Sequence, residues 1–385
     1  MKIFVANWFL SYTSDSIVQA LRNMGQEVTE GMYVTPEDVY VETSEEGRMK
    51  QEVMAFGADV VFSVNIWPPA ARVCRELGIP YLAWSYDSPQ NLRTNQDLNY
   101  DTNFLFLFDR IEVENYRAQG ISRVFHLPLA TNVLDRKQIR LENKCYDVSF
   151  VGNLYESTLP ALNNALSEYN RGFLQAMITA QRKVYGYFLV DDLLTDTQMN
   201  AFNRDFLSAG GDNVSVRQMA YSIGSYVTYL DRLTLLQLLS NRLETHLFTT
   251  HMSDQLRTLL SRVKMHGSVD YATEMPKVFC QSKINLNPAL RIIRSGIPLR
   301  CLDIMGSGGF LLSSFQAELA EFFVPDQELV LYESMEDAVA KAMFYVAHEE
   351  LREQIALRGY EKVKAEFHYS LQLKRLFETA HLKLQ

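Results

Sequence analysis

Arg300, Asp303 and Ser307 in "GIPLRCLDIMGSGGFLLSS" stand three and four residues apart, the spacing that puts side chains on one face of an α-helix. Pro298 suits the first turn of such a helix, where its missing N–H has no helical partner. The unpaired N–H groups of that turn carry about half a positive charge and can hold a phosphate. One turn further on, Asp303 offers acceptors to vicinal hydroxyls such as those of a ribose. Gly306, Gly308 and Gly309 would end the helix and let backbone approach a ligand closely. The same residues also fit a solvated Arg300–Asp303 salt bridge followed by an ordinary turn.

A second carboxylate, Asp87 in "WSYDSP", follows an apolar run directly and precedes Ser88 and Pro89. At such a strand end it either takes a proton from a hydroxyl as a general base or caps the following turn. His126 in "FHLPLA" is a further candidate, with packing as the alternative. Trp8, Trp67 and Trp84 lie near strand ends, where they either stack on a sugar ring or join the core. Asn7 and Asn65 close the apolar runs "KIFVAN" and "ADVVFSVN" and belong to the same group of strand-end polar residues.

The elements that must position these residues alternate. "KIFVAN", "SDSIVQALRNMG", "ADVVFSVN", "PPAARVCRELG", "IPYLAWSYD", "NFLFLFD", "RIEVENYRAQG" and "RVFHLPLA" read as strand and helix in turn, with Ser14 or Asp15 as a first cap and Gly25 as a stop. Continuously apolar strands between helices mean a parallel sheet covered on both faces. "LPLATNVLDRKQIRLENK" is a polar linker, and "YDVSFVGN" opens a second series. The region from about 155 to 241 reads as several helices with a break at "GGDN". Alternation resumes through "RLETHLFTT", "MHGSVDY", "KINLNPA" and "ELVLYES" before a long helical tail. Two doubly wound domains bind ligands in loops after their strands, so the site is expected in "NWFLSYTS", "NIWPP", "YDSPQN", "GNLYEST", "HGSVDY" and "NPALRIIRSGIP".

The 385 residues are enough for two domain cores. Lys and Arg total 37 against 46 Asp and Glu, a formal charge of -9 with no basic block, which argues against nucleic acid and against a charge-driven membrane surface. Four scattered cysteines, Cys74, Cys145, Cys280 and Cys301, form no zinc spacing and read as buried hydrophobes in a reducing compartment. No apolar run reaches the length of a membrane span and the N-terminus reads as a first strand, so the expectation is a cytoplasmic protein without a transmembrane segment. No D-x-D triplet offers a carboxylate pair for a metal-bound diphosphate.

The stretch from "KINLNPALRIIRSGIPLRCLDIMGSGGFLL" through "ALRGYEKV" to "HYS" closely resembles the C-terminal half of CgeB-type glycosyltransferases, a group named after a spore maturation protein. "ADVVFSVN", "GIPYLAWSYDSP", "FLFLFDR" and "FHLPLATN" fall in the order of that group's N-terminal half. The resemblance implies an α/β fold of GT-B type, two Rossmann-like doubly wound domains facing a central cleft with a helical segment in the second. It implies domains at 1–135 and 145–362, with 363–385 a helix crossing back to the first. It implies metal-independent transfer of a sugar from a nucleoside diphosphate, UDP first, with no further cofactor, to a protein or glycan acceptor.

In the wider retaining group two glutamates with seven residues between them contact the donor. Asp303 matches the second, and the first falls at Ser295, a departure that leaves the stereochemical outcome open. The implied donor-side residues are Gly152, Asn153, His266, Gly267, Asn287, Arg294, Asp303, Ser307, Gly308 and Gly309, though Gly152 and Asn153 equally fit a simple strand-to-helix turn and His266 a structural role; Arg291, Arg294 and Arg300 cluster where a departing diphosphate needs positive charge. Asp87 and Arg300 are the implied catalytic pair, and Asn7, Trp8, Asn65 and His126 line the acceptor side. A catalytically silent nucleotide-sugar binding module, kept alive by Ser295, and a nucleotide-sugar epimerase are the rival readings. A dehydrogenase is disfavoured, because "NWFLSYTS" and not a G-x-G-x-x-G turn follows the first strand.

Overall fold

A computed structural model describes the chain except for residues 10, 37, 91, 136–142, 158, 252 and 385. Part of the expected linker, 136–142, thus lies outside the described residues. The chain forms two compact units, Met1–Val133 together with Val363–Gln385, and Leu134–Lys362.

The first unit holds β1 (Lys2–Asn7), β2 (Glu27–Met32), β3 (Val60–Val64), β4 (Tyr81–Ser85), β5 (Asn103–Leu107) and β6 (Val124–His126) in the order β2-β1-β3-β4-β5-β6. All pairings are parallel. Strands β3 and β4 are buried along their whole length, which is what a parallel sheet covered on both faces requires. The edge strand β2, "EVTEGM", carries mostly polar and exposed residues, and for that reason it gave no apolar run to read. The helix Ser44–Phe56 that follows it is equally quiet in sequence, yet its start is fixed by a capping box between Thr43 and Glu46. The first helix begins at Tyr12 with Ser11 as cap, three residues before the expected Ser14. Ser14 faces inward instead.

The helix Tyr369–Thr379 belongs to this first unit. It packs on the helix Tyr12–Asn23, Tyr369 meets the fully buried Trp84 edge-on at 6.5 Å, and Thr131 N–H donates to Phe367 O at 3.0 Å.

The second unit holds β7 (Tyr146–Val151), β8 (Thr245–Phe248), β9 (Lys264–His266), β10 (Ser282–Asn287), β11 (Leu311–Ser314) and β12 (Val330–Tyr332), again all parallel, in the order β12-β11-β10-β7-β8-β9. Between β7 and β8 the chain makes the helices Leu159–Asn164, Glu168–Lys183, Val190–Leu193, Asp196–Ser208 and Val216–Ser240. They bury a core of their own around Leu174, Met177, Phe202, Phe206, Ile223 and Val227. Each such side chain contributes about 1.5–3 kcal/mol, which holds this layer together without a strand. Among the described residues no helix is long and apolar enough to cross a membrane.

Candidate functional site

The second sheet reverses its strand order between β7 and β10, and ligands of such sheets bind in the crevice at the strands' C-terminal ends on either side of that reversal. Gly152 and Asn153 follow β7 there, and Pro288 follows β10. The helix Leu299–Gly306 starts at the same edge with Pro298 as its cap and buries Leu302 completely. Asp303, one turn in, is only 5% exposed, so its pair with Arg300 at 3.4 Å is not a solvated one. Its other oxygen accepts the Tyr271 hydroxyl at 2.9 Å. Tyr271 is aimed by a turn that Asp270 closes, accepting from Thr273 Oγ1 at 2.7 Å, Thr273 N–H at 2.8 Å and Ala272 N–H at 3.1 Å. The Thr273 hydroxyl bond first, and then these N–H groups, hold the Asp270 pKa below its usual value.

Arg291 and Arg294 at this edge are tied to carboxylates. Arg291 donates to Asp231 through Nε at 2.8 Å, lies 3.8 Å above the Tyr185 ring and reaches Val184 O. Asp231 also accepts from Arg182 Nε at 3.0 Å. Arg294 grips Asp191 through Nε at 2.6 Å and Nη2 at 3.0 Å, while the neighbouring Asp192 points away to the Tyr187 hydroxyl. Ser295 is buried and donates to Glu318 Oε1 at 2.8 Å. Arg232, from the helix Val216–Ser240, reaches the carbonyls of Asn153 and Pro288. His266, at the end of β9, is hydrogen-bonded to His246 at 2.9 Å and stacked on Phe248 at 4.3 Å. Burial, with the His246 charge next, pushes its pKa down.

The first sheet reverses order between β1 and β3. Asn7 ends β1, and its side-chain oxygen accepts the Ser14 hydroxyl at 2.5 Å. Asn65 follows β3 in the left-handed region at φ 63°, a conformation that asparagine tolerates better than most residues. Its side-chain oxygen accepts from Tyr86 N–H at 2.8 Å and Asp87 N–H at 3.2 Å, and its amide donates to Asp87 Oδ2 at 2.7 Å. Asn65 therefore sets the whole turn that presents Asp87. Desolvation by the surrounding chain raises the Asp87 pKa and the Asn65 bond opposes it, yet the carboxylate remains open to solvent.

Residues 232–378 match a family model described as glycosyl transferase-like. A glycosyltransferase from Rickettsia africae superposes with a TM-score of 0.60 at 8% identity, covering 98% of each chain. HepE from Anabaena, solved with UDP-glucose, gives 0.60 at 9% identity over 99% of each chain. Sucrose-phosphate synthase from Thermosynechococcus elongatus gives 0.57 at 12% identity over 99% of each. The fold is GT-B. No curated protein matches the sequence significantly.

Within this GT-B fold the structure moves several expected residues away from the strand ends. Ser307, Gly308 and Gly309 lie at the far end of the helix Leu299–Gly306, ahead of β11. The register Asn285–Leu311 puts Gly309 about four residues, or roughly 13 Å, back from Asn287. A Cβ on Gly309 would stand 2.7 Å from Asn285 Nδ2, so this glycine serves packing against β10; Gly308, at φ 75°, ends the helix. Asn287 is buried, and its amide donates inward to Ser313 Oγ and Cys301 Sγ at 3.0 Å each. Trp8 is likewise core, stacked on Trp67 at 4.9 Å.

Gly152, Asn153, Gly267, Arg300, Asp303, Asn65 and Asp87 stay at strand-end loops or in the turn just beyond them. His126 is half-buried at the end of β6.

Arg232, Tyr271 and Glu318 escaped the sequence reading. For Arg232 a signal existed, a lone acid–base pair inside the otherwise apolar run "SYVTYLDRLTLLQLL". Tyr271 and Glu318 had none, since each meets its partner across more than 20 residues of chain.

Proposed function

We propose that this chain transfers a sugar from a nucleoside diphosphate, UDP first, to a hydroxyl of a protein or glycan acceptor, as a CgeB-type transferase would. The observation that carries this reading is Asp303: a buried carboxylate one turn into a helix that starts at the binding edge of the second sheet, inside the segment that matches the glycosyl transferase-like model. HepE, which shares the fold, was solved with UDP-glucose.

In this reading the Asp303 carboxylate accepts the ribose hydroxyls, and the helix N-terminus with Arg300 compensates the diphosphate charge as the bond from sugar C1 to phosphate oxygen breaks. The acceptor oxygen bonds to C1 and its proton passes to a base. Asp87 is the proposed base, because its raised pKa brings it nearer the range where a carboxylate takes protons usefully and its free face is open. Ser295 and its buried partner Glu318 support a second reading, a binding module without turnover, because a serine stands where the resembled group carries a sugar-contacting glutamate.

A thermal-shift panel of UDP, GDP, CDP, dTDP and ADP on wild type and Asp303→Ala tests the proposal. A ligand at 100 times its Kd stabilises the native state by about 2.7 kcal/mol. The expected result is a shift with UDP that the substitution removes; no shift with any diphosphate overturns the reading. Free UDP released from a UDP-sugar with acceptor present separates transferase from silent module.

A further inference from the structure

Arg232 is 7% exposed, and its guanidinium lies between the Phe150 ring at 5.0 Å and the Tyr155 ring at 4.9 Å. Nε and Nη2 both donate to Pro288 O, at 3.0 and 2.8 Å, and Nη1 donates to Asn153 O. Among the described residues no carboxylate pairs with it. Its neighbour Asp231 is turned away and held by Arg182 and Arg291. Burial lowers the Arg232 pKa to about 10, so carbonyls and ring faces do not fully replace water, and the group stays charged at neutral pH.

A buried charge costs several kcal/mol unless something of opposite sign answers it. Here the two carbonyls it holds belong to the loops after β7 and β10, the pair of strands between which the sheet order reverses. Fixing a peptide oxygen also fixes the N–H on the opposite side of the same plane, so the Asn153–Leu154 peptide turns its N–H away from the guanidinium.

We propose that Arg232 is a positioning residue for phosphate: a fixed, unpaired cation beneath the crevice that draws a ligand's phosphates in and locks the two loops that receive them. This rests on the nucleoside diphosphate reading above. The preference it creates grows with ligand charge, whereas a residue that merely holds the fold would affect every ligand equally.

The test is titration of UDP, UMP and uridine into wild type, Arg232→Met and Arg232→Lys, each checked for a cooperative melt. A unit charge lost near a phosphate, at an effective dielectric of about 20, corresponds to a loss on the order of ten-fold or more in affinity. The expected result for Arg232→Met is a loss of about that size for UDP, a smaller one for UMP and less than about two-fold for uridine, with part of the UDP loss restored in Arg232→Lys. Equal losses for all three ligands, or unchanged UDP affinity in a folded variant, overturn the proposal while leaving UDP binding by the wild type, and so the function reading, intact. Failure of all three ligands to bind the wild type overturns both. If Arg232→Met does not fold, Arg232→Gln, which keeps an amide donor for Pro288 O, carries the same comparison.

Discussion

The two sheets have six parallel strands each and differ in order by which side of the first strand the third one takes, yet their C-terminal edges carry opposite chemistry. At the first edge amides, hydroxyls and one open carboxylate bind each other: Ser14 to Asn7, Asn65 to Asp87, Gln90 to the Asp87 carbonyl. At the second, guanidinium groups dominate. Arg291 and Arg294 are matched by Asp231 and Asp191, Arg300 by Asp303, and Arg232 by backbone alone. The sheet supplies places and not chemistry. An edge of neutral donors around a carboxylate of raised pKa suits hydroxyl groups, and an edge with a buried excess of arginine suits phosphates.

The largest expected effect breaks the first edge. Asp87→Asn keeps the shape of the turn and removes the proposed base, so kcat should fall by about 10²–10⁴ with KM little changed. Because the base acts deprotonated and its pKa is raised, the wild-type rate should drop on acidification at a pH above the ordinary carboxyl value of 3.8, and that limb should vanish in the variant. A limb unchanged in Asp87→Asn would remove this residue from the mechanism.

Breaking the second edge should cost stability instead. Asp231→Ala leaves Arg291 buried without its carboxylate and frees Arg182 too, an expected loss of about 3–5 kcal/mol in the denaturant midpoint analysis. A change under about 1 kcal/mol would show that the cluster relaxes and that the contrast between the edges is overstated. Tyr271→Phe removes one hydrogen bond to the buried Asp303 and should lower unfolding free energy by about 1.5 kcal/mol, with the acid limb set by Asp87 unmoved.

What the sequence disclosed follows the same division. Strands such as Val60–Val64 and Tyr146–Val151 and the helix Leu299–Gly306 were readable because each rests on apolar runs or breakers within a few residues. Asp87, Asn65, Arg300 and Asp303 were placed well because a residue at a strand end or one turn into a helix is located by local pattern. Edge strand β2 and the helix Ser44–Phe56 were not, since their polar faces carry no period to read. The charge pairings of the second edge were closed to sequence reasoning for another reason. Asp231 meets Arg291 across 60 residues and Asp191 meets Arg294 across 103, and nothing local selects those partners over any other arginine. Without the pairings, Arg291, Arg294 and Arg300 look like three free cations, and the one that lacks a carboxylate is on the helix Val216–Ser240.

The first unit is built from both ends of the chain, Met1–Val133 and Val363–Gln385. On the ribosome its sheet emerges first, but the helix that covers Trp84 and the helix Tyr12–Asn23 comes only after all of Leu134–Lys362 has been made. At about 5–20 residues per second that interval is on the order of ten seconds or more, and at its end the second unit has every residue it needs while the first still lacks its last helix. The unit whose sheet is translated first is thus completed second, and its apolar face waits uncovered until Val363–Gln385 has been made.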